Sequence, residues 1–586
     1  MMYSVFSKCV LALSSAVALV GCAAPPRSDA PVSSGTMPAD AVWRVAQAPD
    51  GRMRLAYYDA QRHLHIQDPL QRGPSVRPFH PANSQRASSG LDLAWQSGEV
   101  FVAFRDKEPQ RDWFVGPVDR PQALQGVAGD SVPLARARLF PSDTGLSVLW
   151  YGEKHINKNQ YHIFYRDLGT DGVPRGEVVE VFQGIYPVAA VTPSGRLTAV
   201  TWYRDGKVDV IAARTRDPVT GQFGPEVRVA EVAPLTPLFD AISSGDRIWA
   251  FWHAQYGERL DKFRLEGAFS DDGLRWQRFH LAGLDGMDIE SADFATDGQG
   301  NVAAVVAAIP HAEYVAKTGK MRVYVVTSHD GGSTWSAPRE MRQDPLQKDK
   351  AYSHARVPKA VFLGPGKLLV AWQDWRGLRS AIHVSYSEDG GKTWQIDDVR
   401  LTQSSREHEG FALQGKALFP YQGGVRIAYE RFEDDAREDK RVIIRTVAVN
   451  DLRQADVQAN TTGQPDRVRL KQRVLEYWRA MQARDYEKSY AMLDPYFRAK
   501  VRFDIYKENL GKIEYRDPEL MREEFYGPLA LAVTKATVEV KPYTVNRKTF
   551  KLDPVEREIP TRWMWIDGDW YMEYRSDALD VNYAPF

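Results

Sequence analysis

One short pattern recurs along most of this chain: an apolar stretch with strand character that ends in an aromatic residue and runs into polar ones. It occurs at Tyr57 and Asp59, at Phe104, Arg105 and Asp106, at Trp150 and Glu153, and at Trp202 and Arg204. It occurs again at Trp252 and His253, at Trp372, Asp374 and Arg376, and at Tyr429, Glu430 and Arg431. An eighth copy, NVAAVVAAIPHAE, keeps the strand and lacks the aromatic. Copies follow one another at roughly 50 residues, enough for one small sheet each. A single small sheet leaves a face and two edges exposed, and stacking several radially buries the faces. The expectation is an all-β propeller of seven or eight blades over residues 41–450.

The composition agrees with many short strands joined by tight turns: 16 Trp and 26 Tyr supply strand formers, and 43 Gly and 35 Pro supply the corners. Lys and Arg together number 76, the same as Asp and Glu, which argues against nucleic acid as a partner.

A second signature follows the third strand of some units. Ser328, Asp330, Gly332 and Trp335 fit S-x-D-x-G-x-T-W, as do Ser387, Asp389, Gly391 and Trp394. Ser270 to Trp276 is a version one residue short. In such a turn Asp accepts backbone N–H bonds, Gly takes positive φ and Trp plugs the space beside the neighbouring blade. These turns resemble the Asp-boxes of the sialidase (bacterial neuraminidase repeat) superfamily, where they are structural and lie opposite the active site. Sialidases have six blades, so eight units depart from that pattern.

Both cysteines, Cys9 and Cys22, lie near the start of the chain, which leaves the rest without disulfides or thiolate metal sites. Lys8 precedes an apolar run from Val10 to Val20 that is too short to span a bilayer and reads as a secretory signal over residues 1–21. The run ends Leu19-Val20-Gly21-Cys22, which resembles a bacterial lipobox. That resemblance implies lipidation of Cys22, a membrane anchor of several acyl chains, and, with Ala23 next, the outer membrane. Residues 22–40, rich in Pro, Ser and Ala, read as a flexible tether.

Residues 451–466 have no apolar pattern and read as a linker. Beyond them the period changes to 3.6, with Leu470, Val474, Trp478 and Met481 on one helix face. A second helical stretch runs through Tyr486, Tyr490 and Leu493 to Pro495, and alternating strands follow from Leu531. Asp567-Gly568 marks a hairpin turn. Helices before a curved sheet over 467–586 resemble the cone-shaped nuclear-transport-factor-like α+β fold of ketosteroid isomerases and polyketide cyclases, in which many members are accessory domains.

In a propeller the starts of the first strands and the ends of the second strands open on one face, so the polar residues after the aromatics form a rim. Arg136, Arg138, Asp288, Glu290, His354, Arg356 and Glu407 to Glu409 join it from the first strands. The stretch Tyr352-Ser353-His354-Ala355-Arg356-Val357-Pro358 resembles the Arg-Ile-Pro motif of sialidases, whose arginine binds the sialic-acid carboxylate. The resemblance implies catalytic roles for Arg356, Asp374 and Arg376. Tyr352, His354, Arg204, Glu153, His253, Glu430 and Arg431 are the candidate ligand-binding residues around them. The motif stands in the seventh unit and not the first, two further arginines of a triad are not placed, and no Tyr–Glu nucleophile pair is found. Tyr429 and Glu430 are adjacent on a strand and point to opposite faces.

The 12 histidines show no metal-binding spacing, and no phosphate-cradling loop or serine elbow is present, so neither a metal nor a cofactor is expected. Trp150, Trp202, Trp252 and Trp372 read as blade-packing core. Two functions remain open from sequence. One is recognition, with or without hydrolysis, of an acidic glycan by a lipoprotein facing either side of the outer membrane. The other is a non-catalytic envelope scaffold that binds protein partners.

Overall fold

The protein is described by a computed structural model, over residues 32–70, 79, 90–105, 112–143, 145–154, 161–232, 238–256, 262–316, 319–342, 353–402, 407–454, 465–508, 510–545, 548–576 and 581–584. The signal segment, Cys22 and Tyr352 lie outside the described residues.

Eight small antiparallel sheets follow one another from Trp43 to Ala448. Their second strands are the recurring pattern itself: Met53–Tyr58, Glu99–Arg105, Gly145–Glu153, Leu197–Asp205, Arg247–Tyr256, Val302–Pro310, Leu368–Asp374 and Gly424–Phe432. Each is apolar on both faces because a sheet lies on either side of it. Trp150, Trp252 and Trp372 are wholly buried there, as expected of core, whereas Trp202 is only partly buried. The first strands of neighbouring sheets run side by side, which puts them innermost.

Hydrophobic clusters join each sheet to the next around the whole series. The last cluster joins the eighth sheet to the first, packing Phe419, Ala428, Val442 and Ile444 against Trp43, Val45 and Leu55. The series is therefore a closed ring of sheets with no open lateral face, the architecture of a β-propeller.

Closure has a second device. Val32–Ser33 pairs with Ile443 and Ile444, and Met37–Pro38 pairs with Lys440 and Asp439, so the N-terminal segment supplies the outer strand of the eighth sheet. This corrects the flexible tether expected over residues 22–40, which does not extend to Pro38. The Pro- and Ser-rich composition hid the strand because edge pairing uses main-chain groups, with the fully buried Met37 as its only large apolar anchor. The expected linker is also shorter than read, since the helix Val449–Gln454 runs into it and buries Leu452 against the ring.

The two S-x-D-x-G-x-T-W turns join the third and fourth strands of the sixth and seventh sheets. Asp330 Oδ1 accepts the Thr334 N–H at 2.8 Å, the Thr334 hydroxyl bonds Oδ2 at 2.6 Å, and Ser328 Oγ accepts the Gly332 N–H at 2.8 Å. Asp389, Thr393, Ser387 and Gly391 repeat the same bonds. Gly332 has φ of +91°, and a Cβ there would come within 2.8 Å of Trp249 in the fifth sheet.

Residues 466–576 form helices and then a sheet. The helix Arg467–Ala483, capped by Asp466, lays Leu470, Val474 and Trp478 against Ala530, Ala532, Trp563, Trp565 and Trp570. Three short helices, Tyr486–Ala491, Pro495–Lys500 and Phe503–Glu508, follow. Pro495, read as a terminator, is instead the first residue of a helix capped by Asp494, a position where its missing N–H costs nothing. The sheet runs Ile513–Tyr526, Leu529–Val540, Val555–Ile566, Asp569–Met572. Its first strand was not read from sequence, because its exposed charges obscure the alternation. Asp567 and Gly568 both have positive φ, as a two-residue hairpin requires.

Candidate functional site

The helices and sheet of the C-terminal region sit on the ring at the open end of the sixth to eighth sheets. Trp375 and Leu378, just past the second strand of the seventh sheet, pack with Tyr496, Leu529, Met564 and Ile566. The Tyr496 hydroxyl donates to the Leu378 carbonyl. Arg379 ties the parts together, with Nε and Nη2 on Asp435 at 2.9 and 2.8 Å and Nη1 on Asp567 at 2.8 Å. The tip of the Asp-Gly hairpin is thus a docking contact.

Beside this contact the seventh sheet divides its charges into two groups. The first is sealed. Asp374 takes Arg342 through two bonds at 3.0 and 2.6 Å, Arg376 at 2.8 Å and the Trp372 indole at 3.1 Å. Arg376 continues to Asp398, which also meets His383. Burial opposes the charge on Asp374, but Arg342 and Arg376 outweigh it and hold its carboxyl well below the usual range. Asp374 is almost wholly inaccessible and both its oxygens are occupied. It has no face on which to meet a substrate, so the catalytic part the resemblance implied for it does not fit this position, and the same holds for Arg376 inside the network.

The second group is open. Arg356 pairs with Glu290 at 3.3 Å and lies within electrostatic reach of His354, Lys320 and Arg437. Lys320 in turn feels Arg562 and Arg575 from the C-terminal sheet and the strand after it. Burial, then Arg562, pulls the Lys320 ammonium down to about 8. Burial and Arg356 also lower Arg437, which lies over the Trp375 ring. His354 is pushed down to about 2 by burial and then by Arg356, Lys320 and Arg342. It is a neutral ring whose Nδ1 accepts the Met321 N–H at 2.9 Å. The carboxylates at hand are Glu290 on Arg356 and Glu573, buried against Arg562 at 2.9 Å. Asp435 is already taken by Arg379 and by His408 at 2.8 Å. Five cations from two parts of the chain thus gather near three acids, of which Asp435 is shared with Arg379 and His408.

The other rim residues separate from this group. Arg431 pairs with Glu409 at 2.8 Å and Glu430 with Lys440 at 2.7 Å, both within the eighth sheet, and Glu430 also accepts from the Trp43 indole at 2.8 Å. Arg204 is exposed and pairs with Asp209 of its own sheet. His253 is buried beside the Met287 carbonyl, and Glu153 is buried at the end of its strand. Asp288 bonds His311 at 2.9 Å. The residues that sequence reasoning missed are Lys320, Arg342, Arg437, Arg562 and Arg575, which lie in loops and strands of different units and belong to no shared motif. Among the described residues no group of His, Cys, Asp or Glu is placed to hold a metal ion, and no helix is long and apolar enough to cross a membrane.

No family model matches the chain, and no curated protein matches it. Solved structures with partial likeness include a polysaccharide lyase, an ulvan lyase bound to an oligosaccharide, at 12% identity over 63% of this chain and 98% of that one, with a TM-score of 0.37. An α-L-arabinanase of Penicillium chrysogenum is 10% identical over 72% of this chain and 99% of its own, with a TM-score of 0.33. A Hadza microbial sialidase is 14% identical over 60% and 72%, with a TM-score of 0.31.

Proposed function

We propose that this protein is an outer-membrane lipoprotein, anchored through Cys22, whose eight-bladed propeller and C-terminal cone-shaped domain (467–586) together recognise an acidic glycan. The observation that carries this reading is the excess of cations at their junction. Lys320, Arg356, Arg437, Arg562 and Arg575 gather near Glu290, Glu573 and Asp435, the last already bonded to Arg379 and His408, in a place partly open to solvent. An excess of half-buried cations attracts carboxylate or sulfate groups, and arginine forks bind them in two-bond geometry. Arg356 is the residue we place on the ligand's anionic group, with Arg562 and Arg575 opposite it. Asp374, Arg376 and Arg342 act as positioning residues that hold the strand leading to Arg356 through main-chain contacts at Ser353 and His354. Recognition without cleavage is favoured, because Asp374 is sealed and glycoside hydrolysis needs two accessible carboxyl groups or their equivalent.

The test is a panel of sialylated, uronate-containing, sulfated and neutral oligosaccharides, screened for binding and for cleavage by residues 23–586 produced without the acyl anchor. Retention of acidic members alone, lost in Arg356→Ala, is the expected result. Cleavage lost in the same variant would make the protein an enzyme at this site. Equal retention of neutral and acidic members, or none, would overturn the reading and favour a scaffold for protein partners.

A further inference from the structure

The inner strands carry another set of charges, within the ring rather than at its opening. Arg44, Asp92, Arg138, Asp240, Asp293 and Lys359 lie on the first strands of six different sheets, and Lys416 precedes the inner strand Leu418–Tyr421 of the eighth. Their mutual reach places them on one axis. Asp240 of the fifth sheet feels Arg138 of the third, Lys359 of the seventh and Lys416 of the eighth. Lys359 feels Asp293, Arg44 and Asp240. Only a shared central space brings side chains of such distant sheets together.

No ion pair within 4.0 Å joins any two of these seven. The acids are satisfied by main chain: Asp92 accepts the Leu139 N–H at 2.9 Å, Asp293 the Ala360 N–H at 2.8 Å and Asp240 the Ala241 N–H at 2.9 Å. In two cases the bond clamps the next sheet. The cations are answered less fully. Lys359 is nearly inaccessible, and its ammonium meets only the Leu413 and Gly415 carbonyls at 3.4 and 3.2 Å. Arg44 bonds the Trp43 carbonyl at 2.8 Å and leaves its buried Nε without a partner. Arg138 and Lys416 make no hydrogen bond and stand exposed to the channel. Asp92 attracts Arg44, and Asp293 and Asp240 attract Lys359, but none of these acids is in ion-pair contact with a cation, and four cations stand against three acids, an imbalance that is costly when enclosed.

We propose that the central channel binds a compact tetrahedral oxyanion, of the phosphate class, between Arg44, Arg138 and Lys359, with Lys416 beside them. Such an ion accepts hydrogen bonds in several directions at once, which suits donors converging from different sheets around an axis. The site is separate from the junction cleft, since none of its residues contributes to the cluster around Arg356.

Titration calorimetry of inorganic phosphate into residues 23–586, in phosphate-free chloride buffer, tests this. The parent should show a saturable phosphate-binding step, weakened about tenfold or more in Arg138→Met and in Lys416→Met. Neither residue bonds another protein group, so both variants should melt with the parent. The Arg356→Met variant, which removes any phosphate held at the junction, should keep the step that Arg138→Met and Lys416→Met weaken. Absence of saturable binding in the parent, binding unchanged in both channel variants, or loss in Arg356→Met alone would each overturn the proposal.

Discussion

Two groups of charge a few residues apart on the seventh sheet have opposite character. Around Asp374 every charge has an answer: Arg342, Arg376, Asp398 and His383 form a closed chain away from water. Around Arg356 the count does not balance, and the cations stay partly exposed. A matched buried network holds a shape, because any change that removes one member strands the others. An unmatched open cluster does little for stability and leaves free energy for a ligand. The sequence motif runs through both groups, so motif reading alone assigns both to chemistry, whereas burial and pairing separate them.

That contrast is broken most directly at Asp374. Asp374→Ala leaves Arg342 buried without a counter-charge and Arg376 with Asp398 alone, and should cost about 3–5 kcal/mol, read as a large drop in Tm. The depressed carboxyl contributes stability that is present above its unfolded value near 3.9 and is lost only as pH falls through its much lower folded value. The variant should therefore lose stability at neutral pH and show little further dependence on this group under acid. Arg356→Ala, by contrast, should leave Tm nearly unchanged while weakening acidic-glycan binding about 10- to 100-fold. A variant that melted as early as Asp374→Ala would erase the distinction.

Arg379→Ala lies between the two. It removes paired bonds to Asp435 and Asp567 and should cost about 1.5–3 kcal/mol. Because it loosens the C-terminal docking, it should also weaken glycan binding without touching the ligand. Hydrogen exchange at the Asp567-Gly568 hairpin would report that loosening, and unchanged protection there would remove the docking role.

A smaller effect sharpens the same comparison from the channel. Burial raises Asp293 to about 6, against about 3.9 in the unfolded chain. Between those values the folded form holds a proton the unfolded form has released, so stability falls as pH rises from about 4 to 6. Asp293→Asn should flatten that slope in denaturant titrations at several pH values, and a slope equal to the parent's would show that another group causes it.

The ring was legible in the sequence because the second strand of each unit is buried on both faces and must be apolar, and because the S-x-D-x-G-x-T-W turns have fixed chemistry. Asp567-Gly568 was legible as a turn for the same reason. The Val32–Pro38 strand was not, since an edge strand needs main-chain pairing more than apolar side chains. The start of the seventh unit stood out, but the partner that seals Asp374 did not. Arg342 lies 32 positions away across the end of the sixth sheet, with no spacing to betray it. Lys320, Arg562 and Arg575 were invisible for a further reason: their proximity is created by the docking of two parts of the chain, and no periodicity encodes docking. The inward charges Asp240, Asp293 and Lys359 each interrupt an apolar strand, a signal that could have been read as a channel lining.

The central claim is that the excess of cations at the ring opening holds an acidic glycan. Its most direct test is calorimetric titration of the parent and Arg356→Ala chains with 3′-sialyllactose and with a glucuronate-containing tetrasaccharide, at low and moderate salt. The account predicts saturable binding of at least one of them, weakened by salt and about tenfold or more by the substitution. No binding of either, or equal affinity in both chains, would contradict it.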